Sequence, residues 1–263
     1  MTLRIFQVDA FTDRAFAGNP AAICLLTEER SAAWMQAVAA EMNLSETAFV
    51  RALGKHYELR WFTPTVEVDL CGHATLASAH VLWSQGLVHP DEAIAFETRS
   101  GLLTCRRGEA AIELNFPATP PVEAAPPRGL LDAFRVQPSF VGKSKFDFLL
   151  VVDSEDTVRK LQPDFQALRK IAGLRGVIVS SLTEDPRFDF VCRFFAPAAG
   201  VDEDPVTGSA YCCLGPFWSA RLGKPAMTAY QASQRGGTVQ VRIEGDRVIL
   251  GGNAVTVLQG ELL

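Results

Sequence analysis

Apolar and polar positions alternate at the start of the chain. Residues 3–9 and 21–27 therefore read as strands, joined through FTDRAFAGNP. Residues 31–42, SAAWMQAVAAEM, change to helical spacing, and Ser31 is placed to cap that helix. Strands are predicted at 47–52, 57–63, 93–99, 101–106 and 110–115. Between them, residues 74–86 are apolar on nearly every face and close at Gly86. Such a helix belongs in a core, inside a curved sheet. The stretch FPATPPVEAAPPRG, 116–129, holds five prolines and reads as a linker or crossover. A strand at 146–152, a helix at 164–172 and strands at 176–181 and 188–195 follow. A second apolar helix begins near 208, and Pro216 should end or kink it. The last stretch, 237–263, reads as short strands with turns at Gly245, Gly251 and Gly252.

The order of elements after the prolines repeats the order before them. RWFTPTVEVD (60–69) aligns with RFFAPAAGVD (193–202), with five identities in ten positions: Arg, Phe, Pro, Val and Asp. Average residue usage gives roughly half a match by chance. Each segment then runs through a glycine into an apolar helix, so Gly72 pairs with Gly208 and His73 with Ser209. The same repeat sets NLSETAFV (43–50) against GLRGVIVS (173–180), and there Glu46 faces Gly176. One half carries a carboxylate where the other carries nothing. A structural role shared by both halves does not explain that.

Composition narrows the class. The chain has 263 residues, 48% hydrophobic and 21% charged, and a net charge of −5. That is enough for a sizeable core in one large or two ordinary domains. No Lys/Arg run exceeds two residues, which, with the negative net charge, argues against a concentrated nucleic-acid surface and a polybasic membrane patch. No apolar run approaches the roughly 20 residues of a membrane helix. The six cysteines form no C-x-x-C pair and read as reduced thiols of a cytoplasmic protein. The four histidines offer no metal-ligand spacing beyond His73 and His80, seven apart. No metal site is expected.

Candidate chemistry gathers where the repeat is asymmetric. A helix N-terminus presents unpaired N–H groups and partial positive charge, so two such ends suit a small acidic ligand. His73 and Ser209 stand at those ends, and Asp204 precedes the second in VDEDPVTGS. Each also has an ordinary structural role open to it: Ser209 as a cap, Asp204 as a turn residue. Asn43-x-x-Glu46 matches a capping-box spacing, but the predicted helix lies before Asn43, not after it. Phe11, Phe16, Trp61, Phe62, Phe194 and Phe195 lie near the motifs, where they line a pocket or, as is usual, fill the core.

Four blocks, F-x-GNPAA, NLSETAFV, FTP…DLCGHAT and RFFAP…DEDPVTGSA, together resemble the PhzF-like isomerases of phenazine biosynthesis, in the diaminopimelate-epimerase superfamily. The resemblance covers nearly the whole chain. It implies an α+β fold of two pseudo-symmetric domains, each a barrel-like, mostly antiparallel sheet around a central helix, with the active site in the cleft between them. The domains are expected at 1–118 and 119–263, with a last strand near 253–263 returning to the first domain. The resemblance assigns catalysis to Glu46, His73, Asp204 and Ser209, and substrate binding to Asn19, Gly72, Ala74, Thr207 and Gly208. It implies an isomerase that needs no cofactor and shifts a proton on a small, cyclic carboxylic acid, working as a homodimer.

The two-thiol racemases of the wider superfamily place a cysteine on each side of the substrate carbon. Here Cys71 matches the first, but the DPVTG turn has none, and Cys212 and Cys213 fall inside the second helix. Unlike groups, Glu46 against Asp204, fit a proton or double-bond shift better than inversion at one centre. An amino-acid epimerase and a catalytically silent carboxylate-binding protein are the alternatives.

Overall fold

A computed structural model describes residues 2–263. The chain divides into two compact units. One runs to Phe116 and takes back Leu250–Leu263; the other is Pro117–Ile249.

The first unit contains β1 (Leu3–Ala10), β2 (Asn19–Leu26), α1 (Ala32–Met42), β3 (Glu46–Leu53), β4 (His56–Phe62), β5 (Glu67–Val68), α2 (Gly72–Ser84), β6 (Ile94–Thr98), β7 (Gly101–Arg107) and β8 (Ile112–Pro117). β1 pairs antiparallel with β2, β2 parallel with β3, β3 antiparallel with β4, β4 parallel with β6, and β6 antiparallel with β7. Ser31 caps α1 by accepting from the Trp34 N–H, as its position predicts. Asn43 ends that helix in the left-handed region (φ 49°) and turns the chain into β3, whose first residue is Glu46.

Ten of the thirteen residues of α2 are buried, and the helix packs on β1, β2 and β3. Its polar side chains fit because they bond its own backbone: Thr75 Oγ1 donates to Cys71 O (2.5 Å) and Ser78 Oγ to Ala74 O (2.7 Å).

The second unit contains β9 (Val122–Glu123), α3 (Leu130–Phe134), β10 (Phe140–Lys143), β11 (Phe148–Val151), α4 (Glu155–Lys160), α5 (Phe165–Arg169), β12 (Val177–Leu182), β13 (Phe190–Ala196), a 3₁₀ turn at Pro197–Ala199, β14 (Val201–Asp204), α6 (Gly208–Leu222), β15 (Ala226–Gln231) and β16 (Gly237–Glu244). β17 (Arg247–Gly252) and β18 (Ala254–Leu262) follow, and β18 pairs antiparallel with β1 in the first unit. The second unit repeats the ladder of the first. β11 pairs parallel with β12, β12 antiparallel with β13, β13 parallel with β15, and β15 antiparallel with β16. The fold is α+β, with mixed sheets and few helices.

The matched arginines of the repeat do the same work in each half. Arg60 on β4 grips Glu67 with Nε (2.7 Å) and Nη2 (2.9 Å) and lies over Phe62. Arg193 on β13 grips Glu203 likewise (2.6 and 2.8 Å) and lies over Phe195. The Arg-x-Phe pattern is thus a clamp between a strand and the short strand after it.

Several expectations need correction. Of the two effects expected of Pro216, ending the helix does not occur: α6 runs on to Leu222. Proline leaves the Cys212 carbonyl without its helical donor, and the Thr119 N–H from the proline-rich segment takes it instead (2.9 Å). Gly251 and Gly252 lie buried in β17 and not in turns. A Cβ on Gly252 would stand 2.3 Å from the Phe11 ring, so this glycine serves close packing. The helix expected over 164–172 is only Phe165–Arg169, capped by Asp164. The short helices α3 and α4 and the strand β10 are not predicted from the sequence, being too brief to set up a period, and β15 is missed because its buried positions are Met227, Ala229 and Gln231 while the half-buried Tyr230 lies between them. Phe16, grouped with the core aromatics, is 79% exposed, whereas Phe11, Trp61, Phe62, Phe194 and Phe195 are buried.

Candidate functional site

In the first unit three of the nominated residues touch. Glu46 at the start of β3, His73 in the first turn of α2 and Asn19 at the start of β2 converge on the imidazole. Glu46 Oε2 lies 3.1 Å from His73 Nε2, at ion-pair distance but outside aligned hydrogen-bond geometry. Asn19 Nδ2 lies 3.1 Å from the other ring nitrogen, Nδ1. A donor there fixes the neutral ring with its hydrogen on Nε2, facing Glu46. Rotating the Asn19 amide would present its oxygen instead and serve the charged ring.

Burial works against a charged His73, while the Cys71 sulfur and the Glu46 carboxylate work for it and prevail. The pKa of His73 is raised well above its ordinary 6.5. Burial, with Glu46 adding to it, pushes the Cys71 thiol up to about 11. Cys71 is therefore neutral at physiological pH, and Glu46 is the carboxylate among the groups that favour charge on His73.

Glu46, Cys71 and His73 offer ligand atoms within 4.8 Å of one another, a set of oxygen, sulfur and nitrogen that a soft divalent ion accepts. The thiol would have to lose its proton to the ion.

In the second unit Asp204 ends β14, and its Oδ2 accepts from Thr207 Oγ1 (2.5 Å). Gln231 braces this turn: its Nε2 donates to Asp204 O (2.7 Å), and its Oε1 accepts from the Thr207 N–H (3.0 Å). α6 starts at Gly208, and Ser209 follows within its first turn. Ser209 is therefore not the N-cap; Thr207 is, and it makes no side-chain cap bond. Cys71 holds the same position before α2, also without a cap bond. Both first turns thus keep their N–H groups uncapped by a side chain.

Ser209 Oγ receives a long bond from Arg175 Nη2 (3.4 Å). Burial raises the pKa of Asp147, and Arg175, which it grips, pulls it down less strongly.

The structure thus joins Glu46, His73 and Asn19 in one unit and Asp204, Thr207, Gly208 and Ser209 along one turn of the other. Gly72 and Ala74 flank His73 in α2, Ala74 with its side chain in the core. Cys71, Gln231, Asp147 and Arg175 were not nominated from sequence. Two of them had a signal: Cys71 lies in the CGHAT block, and Arg175 stands beside Gly176, the partner of Glu46 in the repeat.

Comparison with known proteins fixes the class. Residues 8–260 match the family described as phenazine biosynthesis-like protein, PhzC-PhzF. A protein of Halalkalibacterium halodurans named as an uncharacterized isomerase is 52% identical over 264 residues, covering 100% of this chain and 99% of its own. The crystal structure of a PhzF-family protein from Enterococcus faecalis superposes with a TM-score of 0.95 at 40% identity, covering 100% of both chains. The fold extends further: a probable proline racemase from Agrobacterium radiobacter K84 is only 11% identical but reaches a TM-score of 0.66, over 100% of this chain and 93% of that one. The chain belongs to the phenazine biosynthesis-like PhzF family and is an enzyme of the isomerase type. Among the described residues no helix is long and apolar enough to cross a membrane.

Proposed function

We propose that this isomerase moves a proton within a small, cyclic carboxylic acid and needs no cofactor to do so. Glu46 is the base. It takes a proton from an activated C–H, and the electron pair left behind spreads into the adjoining unsaturated system. Glu46 itself, His73 or Asp204 then returns a proton at another carbon of the same molecule, so no oxidant or reductant is required. The carboxylate of the substrate is the one the sequence motifs imply. The uncapped first turns of α2 and α6 would favour its negative charge.

One observation carries this reading. Glu46 sits 3.1 Å from a buried histidine whose other nitrogen is held by Asn19. A carboxylate with an oriented, chargeable neighbour is a built acid/base pair. The repeat offers no equivalent at Gly176, so the pair is no by-product of the fold.

The test is deuterium uptake from heavy water into a panel of small cyclic and amino carboxylic acids, read by mass spectrometry. Wild type should label one carbon. Glu46→Gln should keep the fold and slow labelling by about 10²- to 10⁴-fold, the range of a lost general base. Wild-type exchange in that variant would remove Glu46 from the mechanism, and ligand binding without exchange in wild type would favour a binding protein. The homodimer implied by the motifs is checked by sedimentation, with an expected mass twice the 28.6 kDa of the chain.

A further inference from the structure

We propose that Arg175 anchors the carboxylate of the substrate, held in place for that task by the buried Asp147. The proposal rests on the reading that the substrate is a carboxylic acid.

Asp147 is buried (1% exposed) and receives Arg175 through both oxygens, Nε on Oδ1 (2.8 Å) and Nη2 on Oδ2. The guanidinium nonetheless remains 45% exposed. Phe146 lies against its plane at 4.9 Å and fixes its orientation. Asp147 thus occupies the Nε–Nη2 edge, while Nη1 makes no hydrogen bond among the described residues. Beyond Asp147, the one group Nη2 reaches is Ser209 Oγ, in the uncapped first turn of α6. A cation with one edge locked and another open, beside such a turn, fits a second carboxylate and has little rotamer freedom left to lose on binding it.

The backbone was fitted to this pair. A Cβ on Gly176 would stand 2.8 Å from Asp147 Oδ1 and 2.4 Å from the Phe194 ring. Any larger residue there would displace the carboxylate that holds Arg175. Gly176 is the repeat partner of Glu46, and Arg175 is the partner of Ser45. The matching Ser-Glu and Arg-Gly pairs therefore differ in kind: one half carries a carboxylate at this place, the other a braced cation.

The test measures preference for an acid over its amide. The probes are anthranilate and 3-hydroxyanthranilate, each against its carboxamide, titrated calorimetrically into the full-length protein. Removing Arg175 alone would leave Asp147 buried and unpaired, so the informative variant is the double Asp147→Asn/Arg175→Met, with Arg175→Lys beside it and near-UV circular dichroism as the check on folding.

Wild type should favour the acids by about 10- to 100-fold, the worth of a hydrogen bond to a charged group. The double variant should lose that preference while keeping amide affinity, and Arg175→Lys should keep part of it. A purely structural ion pair would leave the preference untouched. Undiminished preference in the double variant overturns the proposal, as does equal or absent affinity for acid and amide in wild type. Glu46→Gln should keep the preference while losing exchange. If Arg175 governs the preference and Glu46→Gln still exchanges, the anchor stands and the assignment of the base falls.

Discussion

Glu46 and His73 show how close contacts set a charge state. Burial on its own would favour the neutral ring; the Cys71 sulfur and the Glu46 carboxylate, the latter at 3.1 Å, together raise the His73 pKa well above 6.5. A histidine whose pKa is raised by folding lends stability in full below its unfolded value near 6.5. That contribution is lost as pH rises through the raised folded value. Urea unfolding across this window should therefore show wild type losing stability with rising pH and Glu46→Gln losing less. The imidazole resonance of His73 should titrate at lower pH in Glu46→Gln, and an unchanged titration would mean that Glu46 does not hold the charge. Asn19 illustrates a different point. Its motif marks it as a substrate contact, yet its amide is fully buried against Nδ1 of His73. That placement suits a residue that orients the ring.

At the scale of elements, the repeated Arg-x-Phe clamp is built twice but loaded unequally. Arg60 joins β4 to β5 alone, whereas Nη1 of Arg193 also donates to the carbonyls of Val158, Arg159 and Leu161 at the end of α4 (3.2, 3.3 and 2.9 Å). The carbonyls of Arg159 and Leu161 are ones a short helix leaves without internal donors, while that of Val158 also accepts from the Leu161 N–H (3.5 Å). Arg193→Met should cost about 2–4 kcal/mol, since it orphans Glu203 and these carbonyls together. Arg60→Met should cost clearly less, both read from denaturant midpoints. Equal losses would show that the α4 carbonyls find water instead. The proline-rich segment has an element-scale role too, because Thr119 supplies the donor that lets α6 pass through Pro216.

For the whole molecule, the chain path matters more than any one contact. The first unit is closed by residues from the far end of the sequence, where β18 pairs with β1 from Leu3↔Leu262 to Ala10↔Ala254. Deleting residues 254–263 would strip β1 of this ladder and leave unpaired backbone groups along it. Hydrogen exchange should then lose protection in β1 and β2 while β12 and β13, within the continuous second unit, keep theirs. Unchanged protection in β1 would mean that β2 and α2 suffice to hold it. A first unit assembled from both chain ends also makes its formation wait on the last residues, a long-range closure that slows folding.

Local chemistry was open to reading from the sequence. Ser31 caps α1 because an oxygen one residue before an apolar helical period has an N–H to accept. The buried helices showed as runs with no polar face, and the repeat showed because duplicated strands keep their clamp residues. The asymmetry at Glu46 and Gly176 pointed to chemistry because structure alone requires no carboxylate there. Tertiary structure decided what depends on residues distant in sequence: that Asn19 meets His73 across 54 positions, that Asp147 grips Arg175 across 28, and that Thr119 completes α6. Periodicity records which face of an element is buried. It does not record which distant polar group fills the last hydrogen bond, and in this protein those groups orient the histidine and hold the arginine in place.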